Sequence, residues 1–312
     1  MFLDGVGLGK ADPISNPFFQ AEMPHLQGLL NGRRLSIEMP LPLVTPRATL
    51  LSLDARLGVA GMPQSATGQS ALLTGKNIPA VIGYHYGPKP NPDVAGFLKN
   101  GNLFSILDKA GLHTALLNAY PPRYFDGIES GHRLPGAIAM AAYRAGLRLM
   151  TTDDLYQGNA ISADLTGVGW HEHLHLTDTP LLTPFQAGRR LSELSNRYQF
   201  AFFEYWLSDV VGHSQDMQQA CTLLETLDQM LGGLLDAWED EAGLVLLVSD
   251  HGNLEDLSTR RHTLNPVPLL LIGSPILRER FIENMGTESS AIQDLTHVYP
   301  AILQLLVPRL PT

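Results

Sequence analysis

The chain has 312 residues, room for one large α/β domain or two small ones, and its 44% of hydrophobic residues are ample for a buried core. Its formal net charge of −10 argues against tracking along nucleic acid or an anionic membrane, and no uninterrupted apolar run is long enough to cross a bilayer. A single cysteine, Cys221, excludes an internal disulfide; with no basic and apolar leader at the N-terminus, the cytoplasm is the expected compartment.

In chain order, Met1-Phe2-Leu3 reads as a strand stub that ends at Asp4-Gly5-Val6-Gly7. Pro24 to Leu30 is predicted helical and Thr49 to Leu53 extended. Ser65 to Thr74 reads as a helix of small residues, with Pro63 ahead of it and Gly75 as its stop signal. The Pro/Gly-rich passage from Gly75 to Asn102 has turn and loop chemistry. A helix at Leu103 to Ala110 and a strand at Leu112 to Leu117 follow, joined by Gly111 in the manner of a layered α/β sheet.

Residues 120–182 have a weaker pattern, with a helix predicted from Ala137 to Leu149, and read as a small excursion over the sheet edge of a single domain spanning 1–312. Thr183 and Pro184 open a helix reaching Tyr198, which leads into a strand at Phe200 to Tyr205. The stretch from Gln215 to Trp238 carries Leu223, Leu227, Met230, Leu231 and Leu234 at helical spacing, with Cys221 as a small core residue. Gly243 to Ser249 and Val267 to Ile272 are strands, and Asp294 to Leu306 is a closing helix.

The chemistry gathers at strand ends, where open α/β sheets keep their active sites. Asp250-His251 stands where the Gly243 strand stops, and His262 follows shortly after. Asp209 and His213, four residues apart after the Phe200 strand, can converge on one ion; with His262 they make an Asp-His-His set. Asp4, Asp250 and His251 form a second set. Oxygen and nitrogen ligands without thiolate suit Zn²⁺, Mn²⁺ or Mg²⁺, and two such ions about 3.5–4 Å apart can clamp the attacking and leaving oxygens of a phosphoryl transfer. Ser65, Thr67 and Ser70 offer the nucleophilic hydroxyl; Ser65 lies at the predicted helix start, where free amides and the helix dipole favour a phosphate. His171, His173 and His175 would share one face if that run were a strand, and read as a polar exposed edge in preference to a third metal site.

Ser65, Gly68 and Gly75-Lys76, together with the segments Asp209 to His213, Ser249 to Glu255 and His262 to Pro268, resemble the alkaline phosphatase superfamily, most closely the metalloenzyme core of cofactor-independent phosphoglycerate mutase. The resemblance implies a three-layer α/β/α sandwich around a mostly parallel sheet. It selects Ser65 as nucleophile over Thr67 and Ser70. It also implies the division of two divalent ions: one on Asp209, His213 and His262, the other on Asp4, Ser65, Asp250 and His251.

The chain departs from that mutase pattern in two places. Only Asn77 to Gly101 fills the interval in which the mutase inserts a whole substrate-gripping domain, and Gln64 stands where the mutase has asparagine before its serine. The sulfatase Cys/Ser-x-Pro-x-Arg pattern is missing from the nucleophile region. These features point to a phosphomonoesterase acting on a small phosphorylated metabolite through a phosphoserine. A phosphomutase using residues 120–182 as a lid is the alternative, and a phosphodiesterase or phosphonate hydrolase would use the same parts. Lys76, Asn118 and Arg123 are candidate substrate-binding residues, while Lys89 reads as a solvated surface charge.

Overall fold

The computed structural model describes residues 1–286 and 293–307. The chain forms strand β1 (Phe2–Leu3), helix α1 (Pro24–Leu29), strands β2 (Leu43–Val44) and β3 (Ala48–Leu53), and helices α2 (Ser65–Thr74), α3 (Ile78–Ile82), α4 (Pro92–Asn100) and α5 (Leu103–Lys109). Strand β4 (Thr114–Leu116) leads to helices α6 (Pro122–Glu129), α7 (Ala137–Arg144), α8 (Thr152–Tyr156), α9 (Val168–Leu174) and α10 (Pro184–Ser195). Then come β5 (Phe200–Phe202), β6 (Glu204–Tyr205), α11 (Leu207–Ser214), α12 (Met217–Ala237), β7 (Val245–Val248), β8 (Val267–Ile272), α13 (Pro275–Asn284) and α14 (Val298–Leu306).

The main sheet has the order β2-β3-β8-β7-β1-β6, and β4 pairs in parallel with β5, which runs into β6 through Phe203. β1 is parallel to both β6 and β7; β8 is antiparallel to β7 and to β3, and β3 to β2. Among the described strands, then, only β8 and β2 oppose the common direction.

Period-2 alternation assigns each strand residue to one of two cores. Leu3, Leu50, Leu247, Leu270 and Ile272 point into the core closed by α1, α10, α11 and α12. Phe2, Leu51, Leu53, Val248, Leu269 and Leu271 point into the core closed by α2, α4, α5, α7, α13 and α14. Two apolar faces each covered by helices give the three layers.

Four helices differ from the sequence reading. The Pro/Gly-rich passage holds α3 and α4, because Asn77 and Asn91 cap helices whose prolines sit in the first turn, where a missing N–H costs nothing. Helix α7 stops at Arg144, short of Leu149, where the chain turns through Gly146 at φ 84°. The His171 run is helix α9, not a strand, so its alternate histidines do not share a face; His171 Nε2 contacts Thr179 O at 2.8 Å and His175 is the left-handed cap.

Residues 120–182 return to the sheet edge beyond β4 at two isolated bridges, Ala119 with Met150 and Asn118 with Ile161. At the other end of the sheet β1 is short: the Met1 nitrogen donates to Leu246 O at 2.7 Å, and burial lowers its pKa to about 5. A cavity of about 750 Å³ continues from there between Phe200-Ala201 and Val245-Leu246. No helix among the described residues is long and apolar enough to cross a membrane.

Candidate metal centre

Topology brings the chemistry to one end of the sheet. β1, β6 and β7 finish there and β8, running the opposite way, begins there, so Asp4, α11, Asp250-His251 and the loop carrying His262 emerge side by side. Helix α2 starts beside them, with Gly68 at its closest approach: a Cβ there would stand 3.0 Å from both Cβ and O of Asp250.

Ser65 Oγ lies 3.0 Å from His251 Nε2, which is 3.3 Å from Asp4 Oδ1 and 3.6 Å from Asp250 Oδ2. Asp209 and His213 sit one turn apart on α11, with His213 Nε2 3.3 Å from Asp209 Oδ2. His262 Nε2 is 3.6 Å from Asp209 Oδ1 and 3.3 Å from His213 Nε2. The two halves touch, since the rings of His251 and His262 stack with centroids 3.7 Å apart. Ligand atoms of Asp4, Asp250 and His251 all lie within 4.8 Å of one another, and so do those of Asp209, His251 and His262. His251 thus faces both groups, although the sequence assigns it to one.

The other two hydroxyls face elsewhere. Thr67 Oγ1 donates to Gln64 O and Tyr86 O, and Ser70 is fully buried within the helix packing.

The electrostatics are those of crowded buried acids. Burial raises the pKa of Asp4, and burial followed by the charge of Asp4 holds Asp250 well above the carboxylate range. Burial opposes a cation at His251, yet the Asp250 and Asp4 carboxylates outweigh it and push the imidazole up to about 10. His262 goes the other way, down to about 4, through burial and the adjacent His251 charge.

These residues fit divalent ions. His213 Nδ1 donates to Arg260 O and His262 Nδ1 to Pro63 O, each at 2.7 Å, which fixes both tautomers and leaves two bare Nε2 lone pairs facing one another at 3.3 Å. Facing acceptors repel unless a cation stands between them. Two nitrogens each about 2.0–2.1 Å from one tetrahedral ion would be separated by about 3.4 Å. Asp4 Oδ1, buried and without a hydrogen-bond partner, is a second unsatisfied ligand atom.

Residues 186–307 match the family model "Metalloenzyme superfamily". The 2,3-bisphosphoglycerate-independent phosphoglycerate mutase of Desulforudis audaxviator (strain MP104C) is 33% identical over 141 residues, 42% of this chain and 26% of that one. Residues 186–307 are thus similar to a metalloenzyme core. The chain spans about a quarter of the length of the curated relatives it matches. Among solved structures, the PH0037 protein from Pyrococcus horikoshii covers 98% of the chain and 95% of its own, at 12% identity and TM-score 0.53, and so shares its fold. The alkaline phosphatase from the Antarctic bacterium TAB5 covers 98% and 96%, at 14% identity and TM-score 0.49.

The expected substrate residues fare differently. Lys76 stands beyond the far end of α2, about 15 Å of helix from Ser65, with Nζ 5.8 Å over the Phe97 ring. The Asn118 amide is taken up by the backbone of Glu204, donating to its O and accepting from its N at 2.8 Å each. Arg123 is exposed on α6 and lines a cavity of about 880 Å³ with Arg133, Tyr120, Tyr124 and Trp206. Lys89 is half-buried, two residues past Gly87, which packs on the Ser65 amide; burial and the charge of Arg133 lower its pKa.

Four residues escaped the sequence reading. Gln69 Nε2 donates to Asp4 Oδ2 at 3.1 Å and to Asp250 Oδ2 at 3.2 Å, bridging the two acids. Its place one turn after Ser65 in a helix of small residues was the available signal. Asn253 Nδ2 donates to Asp209 Oδ1 at 2.7 Å. Glu204, the first residue of β6, is pushed up to about 8 by burial and then the charge of Asp4. The fourth is Glu255, 1% exposed.

Proposed function

We propose that the chain is a two-metal-dependent phosphoryl-transfer hydrolase, a phosphomonoesterase acting through a phosphoserine at Ser65 on a small phosphorylated metabolite. The observation that carries this reading is one hydroxyl, Ser65 Oγ, 3.0 Å from His251 Nε2, beside two imidazole nitrogens that face one another at 3.3 Å, the separation that two ligands of one tetrahedral ion would have. Asp209, His213 and His262 would hold one ion; Asp4, Ser65, Asp250 and His251 would hold the other. When bound, the pair supplies Lewis acidity that lowers the pKa of the serine hydroxyl and offsets the phosphoryl charge.

The chain's own groups do the rest. Ser65 Oγ, deprotonated, forms a bond to phosphorus as the ester P–O bond breaks, and the leaving oxygen takes up a proton. The first turn of α2 presents its amide dipoles to the phosphoryl oxygens, while the Thr67 amide is engaged by Tyr86 O. Gln69 holds Asp4 and Asp250 in place through its two donated bonds. Water then cleaves the phosphoserine, releasing phosphate and restoring the hydroxyl. Such a hydrolase suits the cytoplasm, the compartment that a lone cysteine favours.

The similarity of 141 residues to a mutase favours a second reading, phosphoryl transfer back to the same substrate. Labelled phosphosugars separate the two, because a mutase moves the label within one molecule and a hydrolase frees it as phosphate. The function is tested by a screen of phosphorylated metabolites run separately with Mn²⁺, Zn²⁺ and Mg²⁺. Against the preferred substrate, Ser65→Ala should lose phosphate release by about a thousandfold or more while still taking up metal. Retained turnover in that variant overturns the nucleophile assignment.

A further inference from the structure

The carboxylate of Glu255 is buried and makes no ion pair among the described residues, yet it is fully engaged by donors. Oε2 accepts from Gly7 N at 2.9 Å and from Asn253 N at 2.7 Å. Oε1 accepts from Asn265 Nδ2 at 3.0 Å and from the Thr263 hydroxyl. Each donor lies on a loop that carries candidate ligands: Gly7 follows Asp4, Asn253 follows Asp250-His251, and Thr263 is next to His262. Asn253 passes the contact on, since its side chain donates to Asp209. The space around the acid is kept by glycine, for a Cβ at Gly7 or Gly252 would fall on the Glu255 carboxylate.

We propose that Glu255 is a positioning residue for the metal centre, one carboxylate that locks the loops bearing Asp4, His251 and His262 into a common frame and, through Asn253, fixes Asp209. This rests on the reading of those side chains as metal ligands. A carboxylate suits the place better than an amide, because four donors converge on its two oxygens and an NH₂ group there would face donors. Partners that orient ligands in this way set metal affinity, and their loss costs about 10- to 100-fold.

The test is metal uptake by the full chain, with Mn²⁺ and Zn²⁺ as probes in equilibrium dialysis, alongside thermal melting in chelator. Glu255→Gln should bind both ions about 10- to 100-fold more weakly than the wild type. A residue that only stabilised the fold would lower the metal-free melting temperature and leave the affinity of the folded protein unchanged, and that result overturns the proposal. If Glu255→Gln does not fold, Thr263→Val removes one donor to the carboxylate, and Asn253→Ala keeps its backbone donor but cuts the onward link to Asp209; both keep the charge. Both should weaken the Asp209, His213 and His262 site more than the other, and equal, wild-type affinities would again refute the idea. A wild type that takes up no metal sinks the metal-centre reading itself, whereas wild-type uptake with unchanged variants sinks only the role of Glu255.

Discussion

A proton on His251 balances the charge of the bare cluster, and metal must displace it. The imidazole is raised to about 10, so below that pH the cation persists and its Nε2 lone pair is unavailable; above it the proton is lost. Metal affinity should therefore climb as pH rises toward about 10, by about tenfold per unit for each proton displaced, and then level off. Titrating Mn²⁺ into the metal-free protein in weak buffer at pH 8 should release about one proton from this group, and a pH-independent affinity would contradict the picture. The candidate ligands were legible in sequence because an acid or imidazole that interrupts an apolar run is conspicuous. Gln69, Asn253 and Glu255 were not, since a side chain that grips another one has no fixed spacing to it: Glu255 and Gly7 are 248 residues apart. The pairing of Asn118 with the Glu204 backbone was hidden for a related reason, as a polar residue after a strand is equally suited to a ligand or to the backbone of its neighbour.

Helices α10 and α12 meet backbone to backbone, because a Cβ at Gly188 would fall on Met230 O and one at Gly233 on Phe185 O. Gly188→Ala gains about 1 kcal/mol of helix propensity, but the two helices must separate to admit the methyl group. Overpacking of this kind costs about 1–3 kcal/mol, and against backbone atoms the upper end applies. A net loss of about 1–2 kcal/mol in urea unfolding is expected, and a variant as stable as the parent would show that the helices can part freely. Helical spacing made α12 readable, an unbroken apolar run did the same for β8, and the stop at Gly75 made α2 readable to the residue. Prolines hid α3 and α4, because the same residue that breaks a helix interior opens a first turn. The α9 segment failed because alternating His and Glu/Leu fits a strand, while its helix depends on packing Trp170 inward.

Across the whole molecule, the alternation of strands and helices was enough to predict a layered α/β sheet and the family resemblance implied its three layers, but the reversal of β8 was not in the pattern, and that reversal delivers His262 to the same end as Asp4. The reversed strand also ties the two sides of the sheet together: β8 pairs with β3 from Val267 to Ile272 and with β7 from Leu269 to Ile272, so loosening either ladder would shift His262 relative to Asp250 and be felt at the candidate centre.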